Sequence, residues 1–212
     1  MNDKEKWEFG DVKQNKIEDI LQDNETVLYR TQPKKSAYIW SAVLKMLPMS
    51  ILWLLVDCGF IVIMFVTNDG FSSMADGIIA VICIFFAFHL TPVWIWLGGI
   101  IKAALEYKNI DYAFTDKRII IRNGIFGIDF KSILYSEIDS IDVKVGAIDR
   151  ILKVGDLYIK HAAQTSVVYD IHHPYGILTK LQKVTLDIKS DIQYPNDLRP
   201  STNHGYDTKY ED

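Results

Sequence analysis

Residues 46–66 read MLPMSILWLLVDCGFIVIMFV, and only one of these 21 residues, Asp57, carries a formal charge. At about 1.5 Å of rise per residue, a helix of this length spans roughly 31 Å, close to the roughly 30 Å of a bilayer's hydrocarbon core. Residues 78–101, IIAVICIFFAFHLTPVWIWLGGII, form a second run of 24 residues without a formal charge. The two runs predict two transmembrane helices, and they decide the class of the protein.

The charges that flank the two apolar runs predict their orientation. The connecting segment 67–77 contains no Lys or Arg. Basic residues stand on the other side of both runs: Arg30, Lys34, Lys35, Lys45, Lys102, Lys108, Lys117 and Arg118. Because Lys and Arg are retained on the cytoplasmic side of a membrane, we expect both termini in the cytoplasm and segment 67–77 outside.

Each apolar run contains one side chain that can pair electrostatically, Asp57 in the first run and His89 in the second. Each lies eleven residues from the start of its run, so an antiparallel hairpin brings both close to the membrane midplane. A charged Asp there costs about 2.5–3.5 kcal/mol, and a partner is therefore expected. Asp57 either pairs with His89 in the same chain or faces a neighbouring subunit in its neutral form. A proton relay would need further acids or bases along a path.

After the second run the pattern changes to short alternating segments. Residues 110–115 and 118–122 are rich in β-branched and aromatic side chains, which favour strands. Asn123 and Gly124 follow directly. Asn-Gly between two such segments predicts a hairpin with a two-residue type I′ turn, because that turn needs positive φ at both central positions.

Further strands and one helix are predicted downstream. Alternation of apolar and polar residues marks segments 141–145, 157–159 and 167–171 as strands. From Pro174 onward, apolar residues recur at helical spacing between Ile177 and Ile188. The segment therefore predicts a run of antiparallel strands closed by one amphipathic C-terminal helix.

These segments, in this order, resemble the membrane-bound bacterial pleckstrin-homology-like family of the second type. The likeness lies in YAFTDKRIIIRNGIFG (112–127), EIDSIDVKVG (137–146), DRILKVGDLYIK (149–160) and HHPYGILTKL (172–181). It implies an α+β fold, in which a bent antiparallel sheet of about seven strands is capped by a C-terminal helix. It also implies a bacterial cytoplasmic membrane protein. We expect Glu25–Thr31 to supply the remaining strand.

The predicted organisation has seven parts. They are a polar N-terminal segment (1–24), a strand and juxtamembrane segment (25–45), transmembrane helix 1 (46–66), a short external loop (67–77), transmembrane helix 2 (78–101), a cytoplasmic PH-like domain (103–192) and a disordered polar tail (193–212).

Charge and motifs exclude several functions. The net charge is −4, and residues 103–192 contain twelve basic and twelve acidic side chains, so nucleic-acid binding is not expected. The sequence contains no GxxxxGK[ST], GxGxxG, GxSxG or HExxH motif. Cys58 and Cys83 form no metal-ligand spacing. We expect neither a cofactor, nor a bound metal, nor catalysis.

Two groups of polar residues are candidates for a metal site or for acid–base chemistry. A hairpin turning around Gln164–Thr165 would pair His161 near Val168 and leave His172 too far away to share a metal. The carboxylates alternate with apolar residues and favour a solvated face rather than acid–base chemistry. These are Glu137, Asp139, Asp142 and Asp149.

Binding and assembly at the membrane are the expected role, with membrane lipids, a protein partner and further copies of the chain as contacts. A sheet edge or groove would receive a strand or helix of the partner. Two alternatives remain: defence against membrane-active peptides such as bacteriocins, which the resemblance suggests, and phospholipid headgroup binding. Candidate headgroup-facing residues are Lys117, Arg118, Arg122, Lys131, Lys144, Arg150 and Lys153.

Overall fold

The computed structural model describes residues 16–67 and 76–193, which divide into two compact units. The helical unit consists of residues 34–108, and the sheet unit contains residues 16–33 and 109–193. Most of the predicted external loop and the predicted disordered tail from residue 194 onward lie outside the described residues.

The helical unit has three helices: α1 (Lys35–Thr67), α2 (Asp76–His89) and α3 (Thr91–Glu106). Helix α1 begins eleven residues before the predicted span because residues 35–45 contain no Pro or Gly and continue the helix with polar positions. Among the described helices, α1 is long and apolar enough to cross a membrane by itself. Helices α2 and α3 meet that test only as a bent pair.

The second predicted transmembrane segment, residues 78–101, is broken rather than straight. The chain breaks at Leu90, and the two helices on either side are bent by 51°. Pro92 lies in the first turn of α3, where its missing N–H leaves no internal bond unmade. Because Pro92 has no N–H to offer the carbonyl of Phe88, the sequence predicts a kink at Pro92. It falls two residues earlier because a proline disfavours helical geometry in the residues before it.

The sheet unit contains two antiparallel sheets. The first has the order β1-β2-β3-β4, with strands Val27–Thr31, Asp111–Thr115, Arg118–Asn123 and Asp129–Leu134. The second has the order β5-β6-β7, with strands Ile138–Lys144, Val154–His161 and Gln164–His172. Strand β1, which precedes all three helices of the helical unit, pairs with β2, which follows them.

The two predicted hairpins differ in detail from the structure. Asn123 belongs to β3 and pairs with Asp129, so five residues connect β3 to β4, and the two-residue turn at Asn123-Gly124 is wrong. Positive φ at two central residues, the requirement of a type I′ turn, occurs instead at Ala162 and Ala163 between β6 and β7. His161 therefore pairs with Gln164, and its predicted pairing near Val168 is also wrong.

Two further helices complete the sheet unit. Helix α5 (Pro174–Gln193) begins at the predicted proline, and Leu181 and Thr185 of its predicted apolar face are buried. Helix α4 (Ala147–Leu152) was not predicted. The largest fully buried side chains come from both sheets, the turn before β5 and the N-terminal 3₁₀ turn: Ile17, Tyr112, Ile119, Ile120, Ile133, Tyr135, Ile138, Leu157, Ile159 and Ile171.

Candidate functional site

Asp57 and His89 meet inside the helical unit. Nδ1 of His89 lies 2.8 Å from Oδ1 of Asp57, which is the first of the two arrangements considered from the sequence. The His89 ring is flanked by Phe85, at 5.1 Å between ring centroids, and by Trp53, at 5.4 Å. Asp57 is 4% exposed, and its Oδ2 has no hydrogen-bond partner among the described residues. One carboxylate oxygen is thus bound and the other is not.

The break after His89 releases backbone carbonyl groups, and side chains bind them. Pro92 has no N–H to offer the carbonyl of Phe88, and the Thr91 hydroxyl donates to that carbonyl instead. In an apolar environment an unbonded carbonyl costs several kcal/mol. The hydrogen bond from the Thr91 hydroxyl therefore stabilises the bend.

Two indole groups bind the neighbouring carbonyls. Nε1 of Trp94 donates to the carbonyl of Ala87 at 3.0 Å, and Nε1 of Trp53 donates to the carbonyl of His89 at 2.7 Å. Trp53 therefore links α1 to the end of α2 beside the Asp57–His89 pair. The cluster is arranged to hold the bend in the second apolar segment.

Arg118, a candidate headgroup ligand, forms an ion pair inside the sheet unit. Its Nη2 lies 2.8 Å from Oε2 of Glu25, its Nε donates to Oε1 of Glu25 at 2.9 Å, and Nη2 also donates to the carbonyl of Ile20. The Glu25 side chain is fully buried and that of Arg118 is 14% exposed. The guanidinium is thus committed to an internal carboxylate rather than to a ligand.

Burial alone would raise the pKa of Glu25. Hydrogen bonds from the Arg118 guanidinium, the Gln22 N–H and the Thr115 hydroxyl outweigh burial and lower the pKa. The carboxylate is therefore charged at neutral pH and part of the fold.

The other six candidate basic residues do not share one rim with Arg118. Lys117 lies in the turn between β2 and β3, whereas Arg122 lies four residues along β3 from Arg118, roughly 13 Å away. The remaining four lie elsewhere in the sheet unit: Lys131 on β4 near Gln164, Lys144 at the end of β5 over the Tyr158 ring, Arg150 on α4 and Lys153 at its C-terminal cap. The structure does not gather the seven side chains at a single point.

The polar N-terminal segment contributes to the sheet unit, which the sequence did not predict. Ile17, in a 3₁₀ turn over Ile17–Ile20, is 1% exposed and packs against Ala113 and Ile120. Arg30 bonds both Glu18 and Asp111, which ties the segment to β2. The short patch with apolar side chains at Ile17, Ile20 and Leu21 is the feature of the sequence that could have indicated this contact.

An apolar groove lies between α5 and the β1–β2 pair. It has a volume of about 710 Å³, the size of a small-molecule or short-peptide site. Tyr29 stacks on Phe114 at its floor, with 6.0 Å between ring centroids. The apolar lining consists of Leu28, Tyr29, Phe114, Tyr135, Ile177, Leu181 and Val184. Leu28 and Tyr29 belong to an edge strand and are 46% and 41% exposed.

The polar residues of this groove give it a positive rim. Lys180 and Lys183 line it on successive turns of α5, with His173 before the helix, against the single carboxylate of Asp187. Exposed apolar residues on an edge strand are a recognised docking surface for another segment. The sequence predicted the apolar face of α5, but nothing in it indicated that part of this face stays uncovered.

Asp170, another buried carboxylate of the sheet unit, has no ion pair with a basic side chain among the described residues. Asp170 is 4% exposed and has a positive φ of 51° at an irregularity between β6 and β7. Its N–H donates to Oδ1 of Asp156 at 2.8 Å. Burial, followed by the nearby carboxylates of Asp156 and Asp149, raises the pKa of Asp170 to about 7. Among the described residues, no group of three or more His, Cys, Asp or Glu side chains is arranged to hold a metal ion.

Comparison with known proteins identifies the domain. Residues 50–187, about two thirds of the chain, match the family model described as "Bacterial PH domain". A crystal structure of a DUF1696 family protein with a pleckstrin-homology domain from Shewanella loihica PV-4 is 19% identical in sequence. That match covers 36% of this chain and 70% of the other, with a TM-score of 0.30. No curated protein matches the chain.

Proposed function

This chain belongs to the bacterial PH domain family, and we propose that it is an integral membrane protein whose sheet unit binds a protein partner without catalysis. The observation that carries this proposal is the groove between α5 and β1–β2. It is apolar, about 710 Å³ in volume, and bordered by an edge strand whose Leu28 and Tyr29 are exposed. A surface of this kind gains free energy when a partner's apolar side chains cover it.

The composition of the helical unit supports membrane insertion. Large apolar side chains on all three helices are exposed, among them Leu55, Val66, Phe88 and Ile95. Such a surface suits lipid and not water. The β1–β2 pairing adds a constraint, since a chain that crosses once through α1 must cross back before β2 to form it. We therefore propose two spans, with both termini in the cytoplasm as the flanking Lys and Arg residues indicate.

The groove specifies the chemistry of the partner. Its floor accepts aromatic or aliphatic side chains, and Lys180 and Lys183 favour acidic neighbours. A segment that alternates apolar and acidic residues satisfies both requirements, because successive side chains of a strand point in opposite directions. The proposed partner is thus an extended, acidic-apolar peptide segment of another protein. A headgroup site is less well supported, since Arg118 is bonded to Glu25.

Site-specific photo-crosslinking in intact membranes tests the groove. The crosslinker p-benzoylphenylalanine is introduced in place of Val184, which lines the groove, and as a control in place of Phe126, which is exposed in the turn between β3 and β4. We expect discrete protein adducts only from position 184. Mass spectrometry of the adducts separates a foreign partner from a second copy of the chain.

Charge reversal tests whether the adducts depend on the rim. The double substitution Lys180→Glu/Lys183→Glu should remove the adduct formed from position 184, whereas Lys153→Glu, also exposed but outside the groove, should leave it intact. An adduct that survives the reversal of both lysines would contradict the proposed site.

Cysteine labelling tests the orientation separately. Cys58 and Cys83 are first replaced by Ala, and a single Cys is introduced at Ser72 in the loop or at Ser136 in the sheet unit. An impermeant maleimide should label Ser72→Cys in intact cells and Ser136→Cys only after permeabilisation. The reverse pattern, or labelling of both, would refute the two-span orientation.

A further inference from the structure

The groove needs an occupant with two properties. It must bring apolar side chains to the floor formed by Tyr29 and Phe114, and it must bring negative charge to Lys180 and Lys183. A strand with large residues at every second position and carboxylates between them has both properties.

One segment of this same chain has that pattern. Residues 206–212 read YDTKYED. Tyr206, Thr208 and Tyr210 occupy alternate positions and are residue types that favour strands. Three acidic side chains, Asp207, Glu211 and Asp212, accompany a single Lys209, so the segment is opposite in charge to the groove rim.

The connection to α5 is long enough for the segment to reach the groove. Helix α5 ends at Gln193, and the nearest rim residue, Asp187, lies six residues earlier, about 9 Å along the helix axis. Twelve residues, 194–205, separate the helix from the segment and can extend to roughly 40 Å. They include Pro195, Pro200 and Gly205, residues that favour a reversal of chain direction.

We infer that residues 206–212 bind in the groove between α5 and β1–β2 as an intramolecular ligand, with Tyr206 and Tyr210 against its floor. A tethered segment of this kind is present at an effective concentration on the order of 1 mM. Any partner must displace it, so the tail lowers the apparent affinity of the groove for a partner. This last consequence rests on the proposed function, whereas the binding of the segment does not.

A peptide-binding measurement tests the inference on the full chain in nanodiscs. The probe is a fluorescent synthetic peptide of residues 204–212, and the comparison is between the unaltered chain and the variant Tyr206→Ser/Tyr210→Ser. We expect the peptide to bind the variant about tenfold more tightly, because its groove is no longer occupied. Adding Lys180→Glu/Lys183→Glu to the variant should weaken binding about tenfold, whereas adding Lys153→Glu should not.

Equal affinity for both chains, or no binding to either, would overturn the inference. Disulfide trapping gives an independent readout in a background without Cys58 and Cys83. Tyr210→Cys combined with Val184→Cys should form a disulfide within one chain, and the control pair Tyr210→Cys with Ile151→Cys, exposed on α4, should not. A disulfide between two chains would also refute an intramolecular ligand.

The two proposals fail in different ways. If the peptide does not bind but position 184 still crosslinks a partner in membranes, the tail is not the occupant and the docking function stands. If the peptide binds and the tail competes, but no partner adduct forms, the groove serves the tail alone and the proposed function falls.

Discussion

Two buried carboxylates of this protein, one in each sheet, have opposite electrostatic surroundings. In the four-stranded sheet, fully buried Glu25 is bonded to Arg118 and has a lowered pKa. In the three-stranded sheet, Asp170 is also buried, lies beside Asp156 with no ion pair to a basic side chain among the described residues, and has a pKa raised to about 7. The comparison teaches that burial alone does not decide the charge of a group: the partner that the fold supplies does.

The largest expected effect comes from removing the cation of the first sheet. Arg118→Met leaves the Glu25 carboxylate buried without its partner and should destabilise the sheet unit by about 3–5 kcal/mol. Hydrogen exchange of β2 and β3 amides, followed by mass spectrometry, measures the loss. Arg150→Met, on the exposed surface of α4, is the control and should change stability by less than about 0.5 kcal/mol. A loss below about 1 kcal/mol for Arg118→Met would show that the Glu25–Arg118 pair is not what holds this sheet.

The second prediction concerns Asp170. Asn keeps the shape, tolerates positive φ and carries no charge, so Asp170→Asn should stabilise the protein at pH 8 by about 1–3 kcal/mol. The measurement is the thermal unfolding temperature of the variant and the unaltered chain in the same detergent. Asp142→Asn, which changes an exposed carboxylate on β5, should have little effect. Destabilisation at pH 8 would mean that the Asp170 carboxylate makes a favourable interaction in its charged form.

The pH dependence of stability distinguishes the two sheets directly. The raised pKa of Asp170 means that the folded chain binds more protons than the unfolded chain between about pH 4 and pH 7, so its penalty disappears as the pH falls through that range. The lowered pKa of Glu25 has the opposite sign, and its contribution is lost as the pH falls below the unfolded value of 4.5. We expect the unfolding temperature to rise between pH 8 and pH 5 and to fall below about pH 4. Asp170→Asn should reduce the rise and leave the fall unchanged, and the remaining rise comes from Asp156, whose pKa is also raised by burial.

The comparison extends to a buried carboxylate of the helical unit. Asp57 of the helical unit has His89 as its partner rather than Arg, and its Oδ2 is unbonded among the described residues. A double-mutant cycle with Asp57→Leu and His89→Leu should give a coupling free energy of about 0.6–1.7 kcal/mol. The measurement is detergent-induced unfolding followed by the fluorescence of Trp53, which is in contact with His89. Additive effects would reject a direct interaction, and the pair Ser50→Ala with His89→Leu should be additive.

The last prediction concerns the turns of the β6–β7 and β3–β4 hairpins, and its effect on stability is the smallest. Ala163 has a positive φ of 61°, which costs a non-glycine residue about 1–2 kcal/mol. Ala163→Gly removes that cost but adds freedom to the unfolded chain, for a net gain of about 0.5 kcal/mol in unfolding free energy. Gly124→Ala should have the opposite sign, because Gly124 has a φ of 132° that side chains rarely adopt. Changes of the same sign in both hairpins would contradict this account.

Most of the regular structure follows from periodicity in the sequence. The β-branched run within Arg118–Asn123 and the helical spacing after Pro174 are local patterns, and both elements occur close to where they were predicted. Turn geometry was harder to predict. The strongest turn dipeptide, Asn123-Gly124, does not form the two-residue turn, and the positive φ values that a type I′ turn requires occur at two alanines, Ala162 and Ala163. The length of the β3–β4 connection is set by the pairing of the two strands along their whole length, and not by the local dipeptide.

The candidate site could be predicted only in part. Asp57 and His89 were found because each is the one such residue in an otherwise apolar run, a signal that local sequence carries. The groove was not found, because its walls come from β1, β2 and α5, which are distant in sequence. The partner of Arg118 was missed for the same reason: Glu25 lies 93 residues away along the chain.

Pairing of β1 with β2 has a consequence for biogenesis. About 80 residues separate the end of β1 at Thr31 from the start of β2 at Asp111. At roughly 5–20 residues per second, a ribosome that has made β1 needs about 4–16 s more to deliver its neighbour. If the helical unit crosses the membrane twice as proposed, a chain integrated only through α1 leaves β2 on the opposite side of the membrane from β1. In that orientation the four-stranded sheet is completed only in chains whose second span has been integrated.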